Sequence, residues 1–336
     1  MLRMNKVLVL FSVALLLILA FSPSRTLGDQ PTDEKTGTVN KNVGWIESTI
    51  DLSAGLRSDK LSWNIAGDIQ GNNPNILSEL TWSGLKIYQI KLADRTVIKD
   101  YLYVRCHVDY GAVVSGNNRD SDYLGDDRTE KFSRSLNGVD GNDVWDASIG
   151  MGPRFAFLRS SIVVCPLLGY AISRQDLNIV DGYQAFTAAP ATTPLGPFAG
   201  LDSRYQTRWK GPWAGVDLLF SIPCAKGLFS LVEITLTGEY HWLDYDADAN
   251  WNLRTDYAHP VSFSHDAKGH GVVGGVSILF QRNNRWGVTL GMNMTDMKTN
   301  PGLDRTYYAD GTTADTRLNE VHWRSLTVET GFSYKF

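Results

Sequence analysis

The sequence is short of the features that usually announce a soluble enzyme. Only three of its 336 residues are cysteines, Cys106, Cys165 and Cys224. An odd, widely spaced set is no disulfide framework, and no Cys-x-x-Cys pair is present to hold zinc or exchange thiols. There is no His-Glu-x-x-His motif for a metal hydrolase and no glycine-rich phosphate loop behind a strand. A cationic excess is missing too: 32 Lys and Arg stand against 36 Asp and Glu, a net charge of −4. That balance gives a polyanion no foothold, so no nucleic-acid partner is expected. Helical periodicity is nearly absent. After residue 21, no apolar run approaches the roughly 20 residues that a spanning helix needs.

The one long apolar run is at the N-terminus. "MLRMNK" carries Arg3 and Lys6, and an uncharged stretch from Val7 to Phe21 follows. A basic start before a short apolar core is the pattern of a secretory signal. We therefore expect a signal peptide over 1–28, a flexible polar start over 29–43 and one folded unit over 44–336.

What the chain has in quantity is alternation. In "YLYVRCHVDYGAVV", Leu102, Val104, Cys106, Val108, Tyr110, Ala112 and Val114 share one face, while Arg105, His107, Asp109 and Gly111 share the other. "RWGVTLGMNM" and the C-terminal "VHWRSLTVETGFSYKF" alternate in the same way. A period of two over such lengths means strands with one apolar and one polar face. The pattern predicts strands near 45–63, 76–90, 101–115, 143–157, 161–175, 204–221, 228–245, 270–282, 285–296 and 321–336. Tight turns at 158–161, 223–227 and 282–285 alternate with long polar connections at 116–142, 176–203, 246–269 and 297–320. Only 91–100, at a short-turn position, is longer than its counterparts.

Alternating short and long connections put the long ones at one end of an up-and-down sheet. With a secretory signal, this predicts an all-β, ten-stranded antiparallel transmembrane barrel in a bacterial outer membrane, its long loops extracellular. A closed barrel satisfies every backbone hydrogen bond without water, as a lipid-embedded sheet must. Arg105, His107, Asp109 and Glu329 then face the lumen. Phe332, Tyr334 and Phe336 suit an interfacial girdle.

Two acidic stretches fall at the long-loop end. "RDSDYLGDD" holds Asp120, Asp122, Asp126 and Asp127, and "DYDADAN" holds Asp244, Asp246 and Asp248 before Asn250. A calcium loop is a poor match. Counting from Asp120, Leu124 stands at position five and Lys131 at position twelve, where oxygen ligands belong. No metal site and no cofactor are expected.

These stretches resemble motifs of the omptins, the ten-stranded outer-membrane proteases. Asp120-Ser-Asp122-Tyr123 is similar to the family's Asp-x-Asp pair, and Asp246-Ala-Asp248-Ala-Asn250 to its Asp-x-Asp-x-His strip. "SELTW" (78–82), "YQTRWKGPWAGV" (205–216) and "TGFSYKF" resemble its second, sixth and last strands. The resemblance covers essentially the mature chain. It implies an aspartic-type endopeptidase in which Asp120 and Asp122 hold a water, Asp248 orients a histidine base and Asp246 holds a basic substrate side chain. It also implies lipopolysaccharide as lipid partner and a peptide or protein as substrate. Arg174, Arg208 and Lys210 are the candidates to meet lipopolysaccharide phosphates. The departure is Asn250, which stands where the histidine belongs. An amide cannot accept a proton at neutral pH. Losing a general base costs about 10²–10⁴-fold. His259, His265 or His241 would substitute, or Asp122 would share a proton with a facing carboxylate as in aspartic proteases. Three readings stay open: a surface endopeptidase, a non-catalytic surface barrel (adhesin, receptor or structural protein), and a small pore.

Overall fold

The computed structural model describes residues 46–336 apart from 190–192, 226 and 284. The expected signal peptide and flexible start therefore lie outside the described residues. Fourteen strands form one antiparallel sheet. They are β1 (Ile46–Ile65), β2 (Ser78–Ile98), β3 (Leu102–Tyr123), β4 (Lys131–Val139), β5 (Asp143–Pro153), β6 (Phe155–Phe157), β7 (Ile162–Thr187), β8 (Gly196–Pro197), β9 (Asp202–Pro223), β10 (Leu231–Asn250), β11 (Phe263–Gln281), β12 (Trp286–Thr299), β13 (Gly302–Tyr307) and β14 (Thr313–Lys335). The short pieces stack end to end. β4 and β5 both lie between β3 and β7, and β12 and β13 both lie between β11 and β14. The wall therefore has ten staves. It closes where β14 pairs β1, from Thr49↔Lys335 to Ile65↔Leu318.

The strands outrun their expected ends. β7 has 26 residues, whereas about 9–11 tilted residues cross a bilayer. "RDSDY" is strand rather than loop, because β3 continues to Tyr123. Asp246–Asn250 likewise lie on β10. The ambiguous 91–100 stretch is the lower part of β2 plus a turn. Half of each long hairpin thus stands clear of lipid. Its outer face then lacks the apolar pattern that marks a membrane strand, and it reads as polar loop.

An apolar belt circles the lower half. Leu52, Leu56, Tyr88, Leu168, Met292 and Phe332 all point outward and are exposed. Aromatic contacts mark its edges, Trp286–Tyr334–Phe336 at the short-turn end and Tyr240–Trp242 at the other. Such girdles mark the lipid–water interfaces of outer-membrane barrels.

The interior has two storeys. Within the belt it is a lattice of ion pairs. Arg57 reaches Asp59 at 2.8 Å and Asp146 at 2.5 Å, and Arg105 reaches Asp217 at 2.9 Å and Glu239 at 2.6 Å. Lys91 meets Glu329 at 3.2 Å and Arg95 meets Glu233 at 2.8 Å. Charges so buried persist only when paired. Above the belt the interior turns apolar, with Trp63, Trp82, Tyr205, Trp209, Tyr245 and Trp323 packed in one cluster. Side chains fill the barrel at this level, as in narrow barrels generally.

One irregularity sets the geometry of the upper end. Gly84 has φ +59°, and the β2–β3 register shifts beside it, between Ser83 and Ile87. Below the shift, odd-numbered residues of β2 face inward, so Leu85 and Ile87 are buried. Above it, even-numbered ones do, so Leu80 and Trp82 are buried. β3 changes phase at the same height, from buried Val113 to buried Asn118. A bulge inverts every side chain beyond it. A Cβ on Gly84 would meet nothing nearer than 4.0 Å, so substitution there would cost backbone energy rather than space. Gly84→Val should therefore destabilise the barrel by about 1–2 kcal/mol in urea unfolding from lipid vesicles. An unchanged midpoint would mean that the bulge does not depend on a left-handed glycine.

Candidate functional site

The inverted phase of β3 turns Asp120 and Asp122 into the barrel mouth, beyond Val114, the last belt residue of that strand. Asp120 stands opposite Leu80 and Ser135, and Asp122 opposite Ser78 and Ser133. Ser78 and Ser133 hydrogen-bond the Asp122 carboxylate. Asp120 Oδ1 is buried with no hydrogen-bond partner. Burial first, then the neighbouring Asp122 charge, hold the Asp120 carboxyl well above the usual carboxylate range, against the pull of Arg254. Burial raises Asp122 as well, opposed by Ser78, Arg254 and Ser133.

Asp126 and Asp127 are not idle loop charge. Asp126 Oδ1 accepts the Asn75 backbone N–H at 2.7 Å, and Asp127 Oδ1 accepts the Asn75 side-chain amide at 2.8 Å. They tie the β3–β4 turn to the β1–β2 connection. Outside the wall, Glu79 accepts from Tyr123 Oη at 2.7 Å and from Arg128 Nε at 2.8 Å, which fastens the same corner.

The second acidic strip faces the other way. β10 pairs β11 without a register break from Leu231↔Gln281 to Ala249↔Phe263. Its inward phase therefore runs on unchanged through His241, Leu243, Tyr245, Ala247 and Ala249, all buried. Asp246, Asp248 and Asn250 alternate with these and lie on the outer wall. Asp246 meets Arg208 at 3.4 Å and Lys210 at 4.0 Å, Asp248 is exposed, and Asn250 Oδ1 lies 2.8 Å from His259 Nδ1. The expected juxtaposition of Asp248 and Asn250 with Asp120 and Asp122 across the mouth is thus corrected. One strand has a bulge and the other has none.

The three candidate histidines have partners other than Asp120 and Asp122. His259 is outside with Asn250. His265 is buried, with Nδ1 2.7 Å from Tyr205 Oη and Nε2 3.0 Å from Asp304. His241 lies below the aromatic cluster, 2.7 Å from Glu239.

What the mouth holds instead is a cavity of about 180 Å³ between the β3–β4–β7 wall and the β10–β11 connection. Asp120, Ser135 and Asn137 line one side. Phe198, Trp251 and Leu253 line the apolar side, and Arg254 closes it. Arg254 is held by Asp256 through Nε and Nη2 at 2.9 and 2.7 Å, with its guanidinium 4.0 Å from the Tyr257 ring centre. Sequence reasoning passed over Arg254. Its only signal was a basic residue between aromatics in "WNLRTDY".

A closed ring of ten antiparallel staves with a lipid-facing apolar belt defines an outer-membrane β-barrel. The chain belongs to the family described as Pom, Protochlamydia outer membrane protein, whose model matches residues 51–336. It is a protein of the bacterial outer membrane. No curated protein matches the chain. Among solved structures, the outer-membrane protease OmpT of Escherichia coli superposes with a TM-score of 0.69 at 14% identity, covering 86% of this chain and 97% of that one. The fold is thus omptin-like. The translocator domain of the autotransporter NalP from Neisseria meningitidis gives a TM-score of 0.34 at 8% identity, over 88% of this chain and 90% of that one. The outer membrane protein OprG from Pseudomonas aeruginosa gives 0.31 at 12%, over 86% and 95%. Overlaps that loose do not bear on the fold.

The raised Asp120 carboxyl has a consequence for stability. A carboxyl held above its ordinary value of 3.8 stabilises the fold while protonated, and that contribution is lost as pH rises through the folded value. Asp120→Asn is neutral at every pH. Its stability relative to wild type should therefore rise as pH increases above the ordinary aspartate value of about 4, read as the difference in urea midpoints. A flat difference would mean that Asp120 is an ordinary solvated acid.

Proposed function

We propose that this protein is a non-catalytic surface barrel, an omptin-like frame whose long-loop end faces the cell exterior and presents a ligand pocket rather than a hydrolytic cleft. The observation that carries the reading is the phase of β10. Asp248 and Asn250 lie on the outer wall, and the inward-facing His265 is engaged by Tyr205 and Asp304 rather than by Asp120 or Asp122. Water attack on a peptide needs base and carboxylates around one oxygen, within hydrogen-bond reach.

The outer wall supports anchoring by lipopolysaccharide. Arg174 and Arg208 are cross-strand partners, and Lys210 lies two residues further along β9. All three point outward just above the belt. Arg208 is half exposed, so it is available to a phosphate.

One observation favours the endopeptidase as a second reading. The two part-buried carboxyls of Asp120 and Asp122 are close enough for the Asp122 charge to raise Asp120. Two carboxyls that share a proton can activate water without imidazole.

Protein reconstituted with lipopolysaccharide and offered peptides rich in Arg and Lys tests both. We expect no cleavage by the wild type, and none by Asn250→His, whose imidazole would point away from the mouth. Cleavage by the wild type that is lost in Asp122→Ala would establish the endopeptidase instead.

A further inference from the structure

One wall of the barrel carries a row of cations that nothing in the protein answers. Arg324 on β14, Lys60 on β1, Lys86 on β2 and Arg119 on β3 alternate with inward-facing residues and are exposed on the outside. The four strands are neighbours in the sheet, and Lys60 and Arg324 are cross-strand partners. Among the described residues none of the four forms an ion pair. The acids of this wall are engaged elsewhere. Glu79 accepts from Arg128 at 2.8 Å and Tyr123 at 2.7 Å, and Asp296 lies 2.8 Å from His322. Glu320 is 2.5 Å from Lys298. The Arg174–Arg208–Lys210 wall differs, because Asp246 lies 3.4 Å from Arg208 and 4.0 Å from Lys210.

Height fixes what the unanswered cations meet. Leu56 and Tyr88 belong to the apolar belt. Lys60 follows Leu56 on β1, and Lys86 precedes Tyr88 on β2, both on the long-loop side. With a rise of ~3.3 Å per residue and a strand tilt of ~40°, both cations stand within about 10 Å of the belt, among the lipid headgroups. The outer wall is also indented there, beside the bulge at Gly84. A recess of about 380 Å³ is lined by Lys60, Thr81, Ser83, Asn117, Arg119 and Leu136. Lys60 and Arg119 flank it from the staves on either side of β2. Thr81 stands opposite Arg119, and Ser83 opposite Asn117, so two hydroxyls and an amide lie between the charges. Ammonium and guanidinium groups answer a phosphate. Hydroxyls and an amide, each both donor and acceptor, answer the hydroxyls of a sugar.

We infer that this recess is a headgroup site for a phosphorylated glycolipid of the outer leaflet, its phosphate held by Lys60 and Arg119 and its sugar by Thr81, Ser83 and Asn117. Lys86 and Arg324 add attraction at the rim of the recess. The inference rests on the reading that the long-loop end faces the cell exterior. It goes beyond the anchoring at Arg174, Arg208 and Lys210 by adding a lipid contact on a different wall, across the β4–β5 stave. A phospholipid would bring the phosphate without the sugar, and a free phosphate would bring neither sugar nor acyl chains to lie along the belt below.

The test uses the full barrel in neutral phosphatidylcholine nanodiscs, with bound lipid counted by native mass spectrometry. The probes are lipid A with its phosphates, dephosphorylated lipid A and phosphatidylglycerol. Lipid A should fill one site that is lost in Lys60→Gln/Arg119→Gln and another that is lost in Arg174→Gln/Arg208→Gln. At the first site, dephosphorylated lipid A and phosphatidylglycerol should each bind about tenfold more weakly, the loss of charge-assisted or sugar contacts. Retained heat-modifiable mobility on gels shows that each variant is folded. Lipid A counts unchanged by Lys60→Gln/Arg119→Gln would overturn the inference, and a loss confined to Arg174→Gln/Arg208→Gln would do so while leaving the anchoring there intact. Phosphatidylglycerol bound as tightly as lipid A would overturn the glycolipid assignment in favour of a plain anionic surface. Displacement of lipid A by millimolar inorganic phosphate would overturn it in favour of a free-anion site. A loss confined to Lys60→Gln/Arg119→Gln would support the inference and refute the anchoring on the other wall.

Discussion

The whole structure depends on strand phase. In a closed barrel every side chain is either inside or outside, and alternation decides which. A single bulge reverses the assignment for everything beyond it, and an unbroken ladder preserves it. β2 and β3 carry such a reversal at Gly84, and β10 carries none. That difference puts Asp120 and Asp122 in the mouth and Asp248 and Asn250 on the outer wall. The spacing of a motif along the chain cannot overcome it.

The two-storey interior follows from the surroundings of each level. Inside the bilayer, the outward face must be apolar, so the polar positions collect inside and neutralise one another as Arg57, Arg105, Lys91 and Arg95 do with their carboxylates. Above the bilayer the outer face meets water, and the apolar side chains turn inward. Trp82, Tyr205 and Trp209 form the core there as in a soluble barrel. The change of storey uses the bulge on one side and plain alternation on the other. The upper end is consequently a packed core with a lined recess rather than an open trough.

Much of the fold was legible in the sequence. Alternation over ten stretches, with long connections at one end, is the direct imprint of a lipid-facing wall, and the ten staves and their order follow from it. The lumen assignment of Arg105, Asp109 and Glu329 was equally legible, since polar residues in phase with glycine mark the inner face. The upper hairpins were not. Away from lipid they lose the apolar signal, so "RDSDY" read as loop when it is strand. The site was only half legible, for the same reason. The apolar face of β3, continued upward, would put Asp120 outside, and only Gly84 and the register shift beside it reverse that. On β10, Tyr240 and Trp242 face lipid, and their phase, carried upward, already puts Asp246, Asp248 and Asn250 outside. The motif resemblance outweighed that signal. Arg254 could not be read at all, because its importance lies in a fold-back of the β10–β11 connection.

The phase of β10 can be measured directly by cysteine accessibility. Single substitutions Ala247→Cys, Asp248→Cys, Ala249→Cys and Asn250→Cys, in a background lacking Cys106, Cys165 and Cys224, are exposed to a bulky hydrophilic maleimide in intact vesicles. Asp248→Cys and Asn250→Cys should label rapidly, and Ala247→Cys and Ala249→Cys should stay protected. The reverse pattern, with 247 and 249 open and 248 and 250 protected, would put the second acidic strip inside the mouth and contradict the account.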